Sequence, residues 1–395
     1  MPLLSVVIPT RNRKQYLLDS IGIALENIKD VEVIVCDNSD DDGLRAMLVS
    51  ALATGRVKYI YSDEPLSVVA NFERSLAEIQ GEYVIFIGDD DAIGPGLEEI
   101  VNWAKENEID SVVSYQNKFI ASYYWPGVRS KYFGNAYSAK LFVNKFTGQA
   151  TEVNPVEALR KVAQRLGGGL GGLPRAYHGL ISRTLIEKIH GKCGHLFGGI
   201  SPDIYSATLI ASLSERAFVL DFPFVIPGAS PVSTAGQGAE RSDRGSIKTT
   251  EHTARFGDSL VWDERIPEFY SPHTVWAYSL CKALELVPHL GVSPSFARLY
   301  ACCFLYYRQH YPELFRALRA LAQIEGYPTV AVKFLGAVTT EGLGFLWRVI
   351  VRVTKPRAGG DAMCYGPHET ISSAYRALDK HITTNGTWPV LKSRL

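Results

Sequence analysis

The chain has 395 residues, 46% of them hydrophobic and 21% charged, with 41 lysines and arginines against 41 aspartates and glutamates. That length holds one large domain or two ordinary ones, and the apolar fraction suits a packed core and excludes an intrinsically disordered chain. The even charge balance leaves no electrostatic footprint for nucleic acid, so no nucleic acid is expected as a partner.

Residues 3–9 form an apolar run followed at once by Arg11, Arg13 and Lys14, the reverse of the order in a signal peptide, and are expected to be a strand. Leu17, Ile21, Leu25 and Ile28 then recur at helical spacing, and 31–36 and 57–61 are β-branched runs of strand length. Val68, Phe72, Leu76 and Ile79 mark a second helix before a fourth strand over 83–87. Leu97, Ile100, Val101 and Ala104 mark a third helix before a fifth strand over 111–115. Apolar strands separated by amphipathic helices predict an α/β fold with a mainly parallel, doubly wound sheet.

Past residue 115 the pattern changes. Residues 119–133 are rich in aromatics, 167–172 contain five glycines, and 227–250 are rich in Gly, Ser, Pro and Thr, as in a long mobile loop. From about 255 the pattern is mostly helical, with Trp276, Leu280, Leu284 and Val287 on one face. The expected division is therefore one unit over 1–228, then a mobile loop and a mostly helical region over 229–395. No apolar run is read as approaching the roughly 20 residues that cross a bilayer, so the chain is expected not to span one. Leu343, Phe345, Leu346, Trp347, Val349 and Ile350 beside Arg348, Arg352, Lys355 and Arg357 read either as a helix packed on the protein with its cations in water or as one resting on an anionic membrane surface. None of the six cysteines forms a C-x-x-C pair, which points to reduced thiols in a cytoplasmic protein, peripheral at the inner face of the membrane. His190, Cys193 and His195 lack a fourth ligand at metal-site spacing and read as an ordinary polar loop.

Ligands of such sheets lie at the carboxyl ends of the strands, and polar clusters occur there. The first strand ends in Pro9-Thr10-Arg11-Asn12-Arg13, the second in Asp37-Asn38-Ser39-Asp40, and the fourth in Gly88-Asp89-Asp90-Asp91. Three adjacent carboxylates repel one another in a partly dry site, and a divalent cation removes that cost. Mg²⁺ or Mn²⁺ is the expected cofactor, because both take carboxylate oxygens and share their other positions with phosphates. The competing reading is an acidic turn capping the helix that starts near Pro95. Asp37 likewise serves either a base or ribose, or only a turn. The glycine run lacks the Gly-Lys-Ser/Thr ending of a phosphate-binding loop, which excludes nucleotide hydrolysis there.

Taken in order, residues 5–13, 33–40 and 83–91 resemble the successive signatures of family-two glycosyltransferases. The resemblance covers roughly the first 110 residues and implies the A-type glycosyltransferase fold and an inverting, metal-dependent transfer from a nucleoside-diphosphate-sugar. It implies that Pro9, Thr10, Arg11 and Arg13 lie against the nucleotide, that Asp37 bonds its base, and that Asn71 and Arg74 face the donor. Asp91 would be the direct metal ligand, Asp89 would lie near the ribose or metal, and Asp90 would complete the motif. Many relatives carry an aspartate where this chain has Gly88, which leaves the motif register open by one residue. Gly198-Gly199-Ile200-Ser201-Pro202-Asp203 is similar to the segment that holds the catalytic base, with Pro202 in place of the usual glutamate, and implies Asp203 in that role. Capping the next helix is the alternative for Asp203. His178 is a weaker candidate base or a hydrogen-bonded structural histidine, Trp125 a surface for an acceptor sugar or a ring packed within a hairpin, and Ser230 and Arg241 groups that close on the leaving diphosphate or parts of a solvated loop. The acceptor would be a glycan or a lipid-linked glycan, in surface polysaccharide synthesis. A sugar nucleotidyltransferase would need a glycine-rich loop after the first strand, and Thr10-Arg11-Asn12-Arg13 has no glycine. A non-catalytic sugar- or nucleotide-binding protein is the rival from another class.

Overall fold

The structure is a computed structural model that describes residues 1–115, 119–233, 236, 246, 247, 253, 255, 256, 260–354 and 356–392. The strands are β1 (Leu4–Thr10), β2 (Val31–Asp37), β3 (Val57–Tyr61), β4 (Tyr83–Phe86), β5 (Ala92–Ile93), β6 (Ser111–Ser114) and β7 (Ala121–Tyr124). They continue as β8 (Lys140–Val143), β9 (Ala150–Val153), β10 (Gly179–Ser182), β11 (Ala217–Leu220), β12 (Val225–Ile226), β13 (Gly228–Ala229) and β14 (Met363–Tyr365). The helices are α1 (Lys14–Asn27), α2 (Leu44–Met47), α3 (Val49–Leu52), α4 (Val68–Arg74), α5 (Leu97–Glu106), α6 (Pro155–Gln164), α7 (Arg183–Cys193) and α8 (Pro202–Leu213). Beyond the loop come α9 (Pro272–Glu285), α10 (Phe296–Tyr306), α11 (Tyr311–Glu325), α12 (Tyr327–Thr354) and α13 (Ile371–Asn385).

The main sheet runs β3-β2-β1-β4-β10-β6-β11-β9. β1 pairs in parallel with β2 and β4, and β2 in parallel with β3. Every residue of β1 and β2 is buried, as continuous apolar runs covered on both faces require. The mainly parallel sheet is thus as expected, with two antiparallel strands, β9 at its edge and β10 in its middle. β10 inserts antiparallel between β4 and β6, although it lies far later in the chain. That insertion brings residues 177–178 against the carboxyl end of β4, where Phe86 bridges Tyr177.

The cores do not divide at residue 228. One joins Leu4, Val33, Ile85 and Phe224 to Ile371, Leu378 and Ile382, so α13 packs back against the first sheet. A second joins Leu159, Ile204 and Ala207 to Leu280, Leu299 and Leu314. β14 pairs with β8 in a small sheet ordered β13-β7-β8-β14.

The reading that no apolar run approaches spanning length is corrected here. α12 has 28 residues and a mean hydropathy of 1.4 over its most apolar stretch, none of it buried, so by length and composition it is long and apolar enough to cross a membrane. Lys333, Glu341, Arg348 and Arg352 interrupt the run in the linear sequence. The helix gathers all but Lys333 on one side and leaves the other apolar.

Candidate active site

Three loops meet at the carboxyl ends of β1 and β4. Asp89, Asp90 and Asp91 are 1%, 4% and 1% exposed, a depth at which carboxylates need partners. Asp89 accepts the Thr10 hydroxyl at 2.7 Å, and the Arg13 guanidinium stands 3.1 Å from its other oxygen. That second oxygen accepts no hydrogen bond. Burial pushes the Asp89 pKa up to about 7 despite the opposing charge of Arg13. Asp90 is also raised, by burial and then by Asp91, although it accepts the Ser230 N–H at 2.9 Å.

Asp91 differs. Its Oδ1 accepts the Gly228 N–H at 2.7 Å. Its Oδ2 accepts the Gly88 N–H at 2.6 Å and the Tyr177 hydroxyl at 2.9 Å, and lies 2.6 Å from His178 Nε2. Burial opposes its ionisation, but the charge and hydrogen bond of His178 and the two backbone donors outweigh burial and hold its pKa below the usual carboxylate range. His178 reaches this position with φ of +59°, a left-handed conformation rare outside glycine, fixed by its N–H bond to the Phe86 carbonyl at 2.9 Å.

Asp203 lies in the first turn of α8, half-buried, and caps nothing: the N-cap residue is Ser201, and no side chain makes a cap bond. Burial raises its pKa, Asp91 adds to the rise, and His178 and Arg175 oppose it. The Asp203 carboxylate therefore belongs to the same electrostatic cluster as Asp91 and His178. Arg175 is 4% exposed, its pKa lowered to about 10 by burial, and its Nε and Nη2 find no hydrogen-bond partner.

With this geometry in place, residues 5–163 match the family described as Glycosyl transferase family 2. They are a family-two glycosyltransferase domain. The chain is 27% identical over 149 residues to the colanic acid biosynthesis glycosyl transferase WcaA of Escherichia coli (strain K12), covering 36% of this chain and 53% of that protein. It is 33% identical over 102 residues to the GalNAc(5)-diNAcBac-PP-undecaprenol beta-1,3-glucosyltransferase of Campylobacter jejuni, covering 24% of this chain and 32% of that protein. The chain thus spans about half or less of the curated relatives it matches. Among solved structures, S. aureus TarS 1-349 in complex with UDP-GlcNAc superposes with a TM-score of 0.50 at 15% identity, over 86% of this chain and 89% of that one. That likeness is one of fold, the A-type glycosyltransferase fold.

Gly88, where many family-two domains carry aspartate, has a local reason here. A Cβ at that position would meet the Tyr177 hydroxyl at 2.8 Å and Asp91 Oδ2 at 2.9 Å. Gly88→Asp is therefore expected to break the Tyr177–Asp91 contact and to cost about 1–3 kcal/mol of stability through overpacking. Chemical denaturation measures it, and an unchanged midpoint would show that the loop yields freely.

Among the described residues no three histidine, cysteine, aspartate or glutamate side chains converge as a metal site. A cation in the family-two domain would take few protein ligands and leave other positions to donor phosphate and water, as suits Mg²⁺ or Mn²⁺. The Asp89 oxygen that accepts no hydrogen bond, facing only the charge of Arg13, and the raised pKa values of Asp89 and Asp90 fit such a cation. Asp91 does not fit as well, because its oxygens are already taken by four partners, at odds with its expected place as direct ligand.

The nucleotide-side residues divide in a similar way. Thr10 and Arg13 reach the aspartates, Pro9 is buried at the end of β1, and Arg11 faces Asp40 at 3.6 Å. Asp37 is fully buried, and its carboxylate accepts the Ser39 N–H at 2.8 Å, the Ser39 hydroxyl at 2.5 Å and the Tyr59 hydroxyl at 2.8 Å. Asn71 donates to the Cys36 carbonyl at 3.0 Å and Arg74 to the Asp37 carbonyl at 2.8 Å. These two side chains hold the end of β2 from α4, where the donor-facing role was expected. The reason is that a strand end leaves carbonyls unpaired, and buried carbonyls take the nearest donors.

Trp125 is corrected as an acceptor surface. It is 5% exposed, packs edge-on to Tyr16 and Tyr123, and donates its indole N–H to the Asp90 carbonyl at 2.9 Å. Arg241 lies outside the described residues, as do Arg244 and Lys248. Tyr177, Gly228 and Arg175 escaped sequence reasoning, and only the closeness of Tyr177 to His178 could have flagged one of them.

Proposed function

We propose that this chain transfers a sugar from a nucleoside-diphosphate-sugar to an acceptor hydroxyl, with inversion at the anomeric carbon. The observation that carries the reading is a cluster of carboxylates whose ionisation burial disfavours: Asp89 and Asp90 beside Thr10 and Arg13, and Asp203, which makes no cap bond. The family-two match over residues 5–163 supports it, as do the transferase names of the two curated relatives.

Thr10 and Arg13 orient Asp89, and Arg13 offers a cation to the donor diphosphate. Asp89 and Asp90 would hold Mn²⁺ or Mg²⁺, which when bound supplies positive charge for the departing nucleoside diphosphate. Asp203 takes the proton of the acceptor hydroxyl as its oxygen attacks the anomeric carbon. Its raised pKa brings its basicity nearer to neutrality. His178 positions Asp91 and, through Gly88 and Gly228, the loops around the cleft. The acceptor we propose is a growing glycan or a lipid-linked glycan of a surface polysaccharide; one relative is named for colanic acid biosynthesis and the other for glucosyl transfer involving GalNAc(5)-diNAcBac-PP-undecaprenol.

Thermal melting with UDP- and GDP-sugars, with and without Mn²⁺, tests the donor and metal together. At about a hundred times Kd a bound donor stabilises by roughly 2.7 kcal/mol. We expect that gain only with Mn²⁺ or Mg²⁺, and its loss in Asp89→Asn/Asp90→Asn. Stabilisation without release of nucleoside diphosphate in the presence of acceptor glycans would favour a binding protein. Metal-independent binding that survives the double variant would remove the metal assignment.

A further inference from the structure

α12 is amphipathic in the wrong sense for a helix in water. Toward the body it places Val330, Phe334, Glu341, Phe345, Arg348 and Arg352. Phe334 packs on Phe304 at 5.8 Å and Phe345 on Tyr306 at 5.9 Å. Glu341 pairs with Arg298 at 2.7 Å, Arg348 bonds the Tyr306 hydroxyl, and Arg352 stacks on Tyr132 at 4.1 Å. Away from the body it presents Val332, Leu335, Leu343, Leu346, Ile350 and Val353, all between 53% and 73% exposed, with Trp347 beside them at 66%. At 100° per residue the outward set falls within one stripe, opposite the body-facing set. A water-facing helix carries its charges on that side, and an apolar stripe, interrupted only at Gly336, Thr339, Thr340 and Gly342, along a helix about 42 Å long marks a site of contact.

We propose that α12 lies in the plane of an anionic phospholipid surface, with its outward stripe immersed and its basic end on the headgroups. The charge pattern selects this partner. Residues 327–357 hold five cations and one carboxylate, and 342–360 hold no carboxylate at all, in a chain that is neutral as a whole. The one carboxylate, Glu341, is already paired with Arg298. Arg298, Arg348 and Arg352, with His273 and the paired Glu341, also line a cleft of about 300 Å³ at the inner edge of the helix, a net-positive lining large enough for a headgroup phosphate. Two copies paired stripe to stripe would set these cations against one another, since the same segment holds only the one carboxylate.

The helix does not cross the bilayer, although its length permits it. α11 before it contributes Leu314, Ala317 and Leu321 to the second core. β14 after it pairs with β8, and α13 contributes Ile371, Leu378 and Ile382 to the first core. Both flanks belong to one folded body, whereas a spanning helix would put them on opposite sides.

Co-sedimentation of the full chain with vesicles tests this, using phosphatidylcholine alone and phosphatidylcholine mixed with phosphatidylglycerol. The chain is expected to pellet with the mixed vesicles and to be released by alkaline carbonate. Leu346→Glu/Ile350→Glu is expected to weaken binding by at least about tenfold, because each change removes a fully inserted aliphatic side chain, with an unchanged melting curve. Val353→Glu alone is the milder variant should the double one unfold, and it is expected to weaken binding in the same direction. No pelleting with either vesicle would overturn the proposal. So would carbonate-resistant binding, the sign of a spanning helix, or a dimer in solution that the double variant splits while no vesicle is bound.

Discussion

Asp203→Asn is expected to lower turnover by roughly 10²–10⁴ while donor affinity stays unchanged, a barrier increase of about 3–5 kcal/mol. The amide keeps the shape of the carboxylate and loses its ability to accept a proton. The alternative, a capping carboxylate, loses ground because Asp203 makes no cap bond and sits past Ser201, the N-cap residue of α8. Its removal should therefore leave the melting temperature unchanged or slightly raised, since a half-buried group whose charged form is disfavoured is made neutral. The pH profile supplies a second readout. A base works only when ionised, so turnover should fall on acidification through the Asp203 pKa, which burial places above the ordinary carboxylate range. That acid limb should disappear in the variant. Wild-type turnover in Asp203→Asn would end the assignment, and His178 would be tested next.

Asp91→Ala is expected to destabilise the fold by about 3–5 kcal/mol, the range for removing one partner of a buried charged pair. Four groups lose their acceptor or partner at once: the N–H groups of Gly88 and Gly228, the Tyr177 hydroxyl and His178. These come from the loop after β4, the loop before β10 and the start of β13, so the carboxylate ties these segments together. The sign of the pH dependence follows from its lowered pKa. Its contribution is present above the unfolded-state value and is lost as pH falls through the folded one. The deficit of the variant should thus be full at neutral pH and shrink in strong acid, as read from denaturant midpoints. Wild-type stability with loss of Mn²⁺-dependent binding alone would instead return Asp91 to the role of metal ligand.

The fold of the first 115 residues was legible because its signals are local. The apolar runs of β1 and β2 and the helical spacing of Leu17 and Ile21 depend on neighbours a few positions away. The place of the aspartates at a strand end also follows from the linear order, since an open parallel sheet puts its ligands there. Which of the three is free to act does not. Asp91 is occupied because Tyr177, His178 and Gly228 arrive from 86, 87 and 137 residues away, carried by an antiparallel strand inserted beside β4 and by the start of β13. The aromatic neighbours of Trp125 allow either a sugar-binding surface or a packed ring, and only the packing of β7 against the site decides for the interior. The sequence by itself determined composition, strand and helix periods and the order of the motifs, because each is a property of short stretches. Tertiary structure decided which carboxylate oxygens have donors and which face of α12 meets the body, because burial and hydrogen bonding are set by segments that meet only after folding.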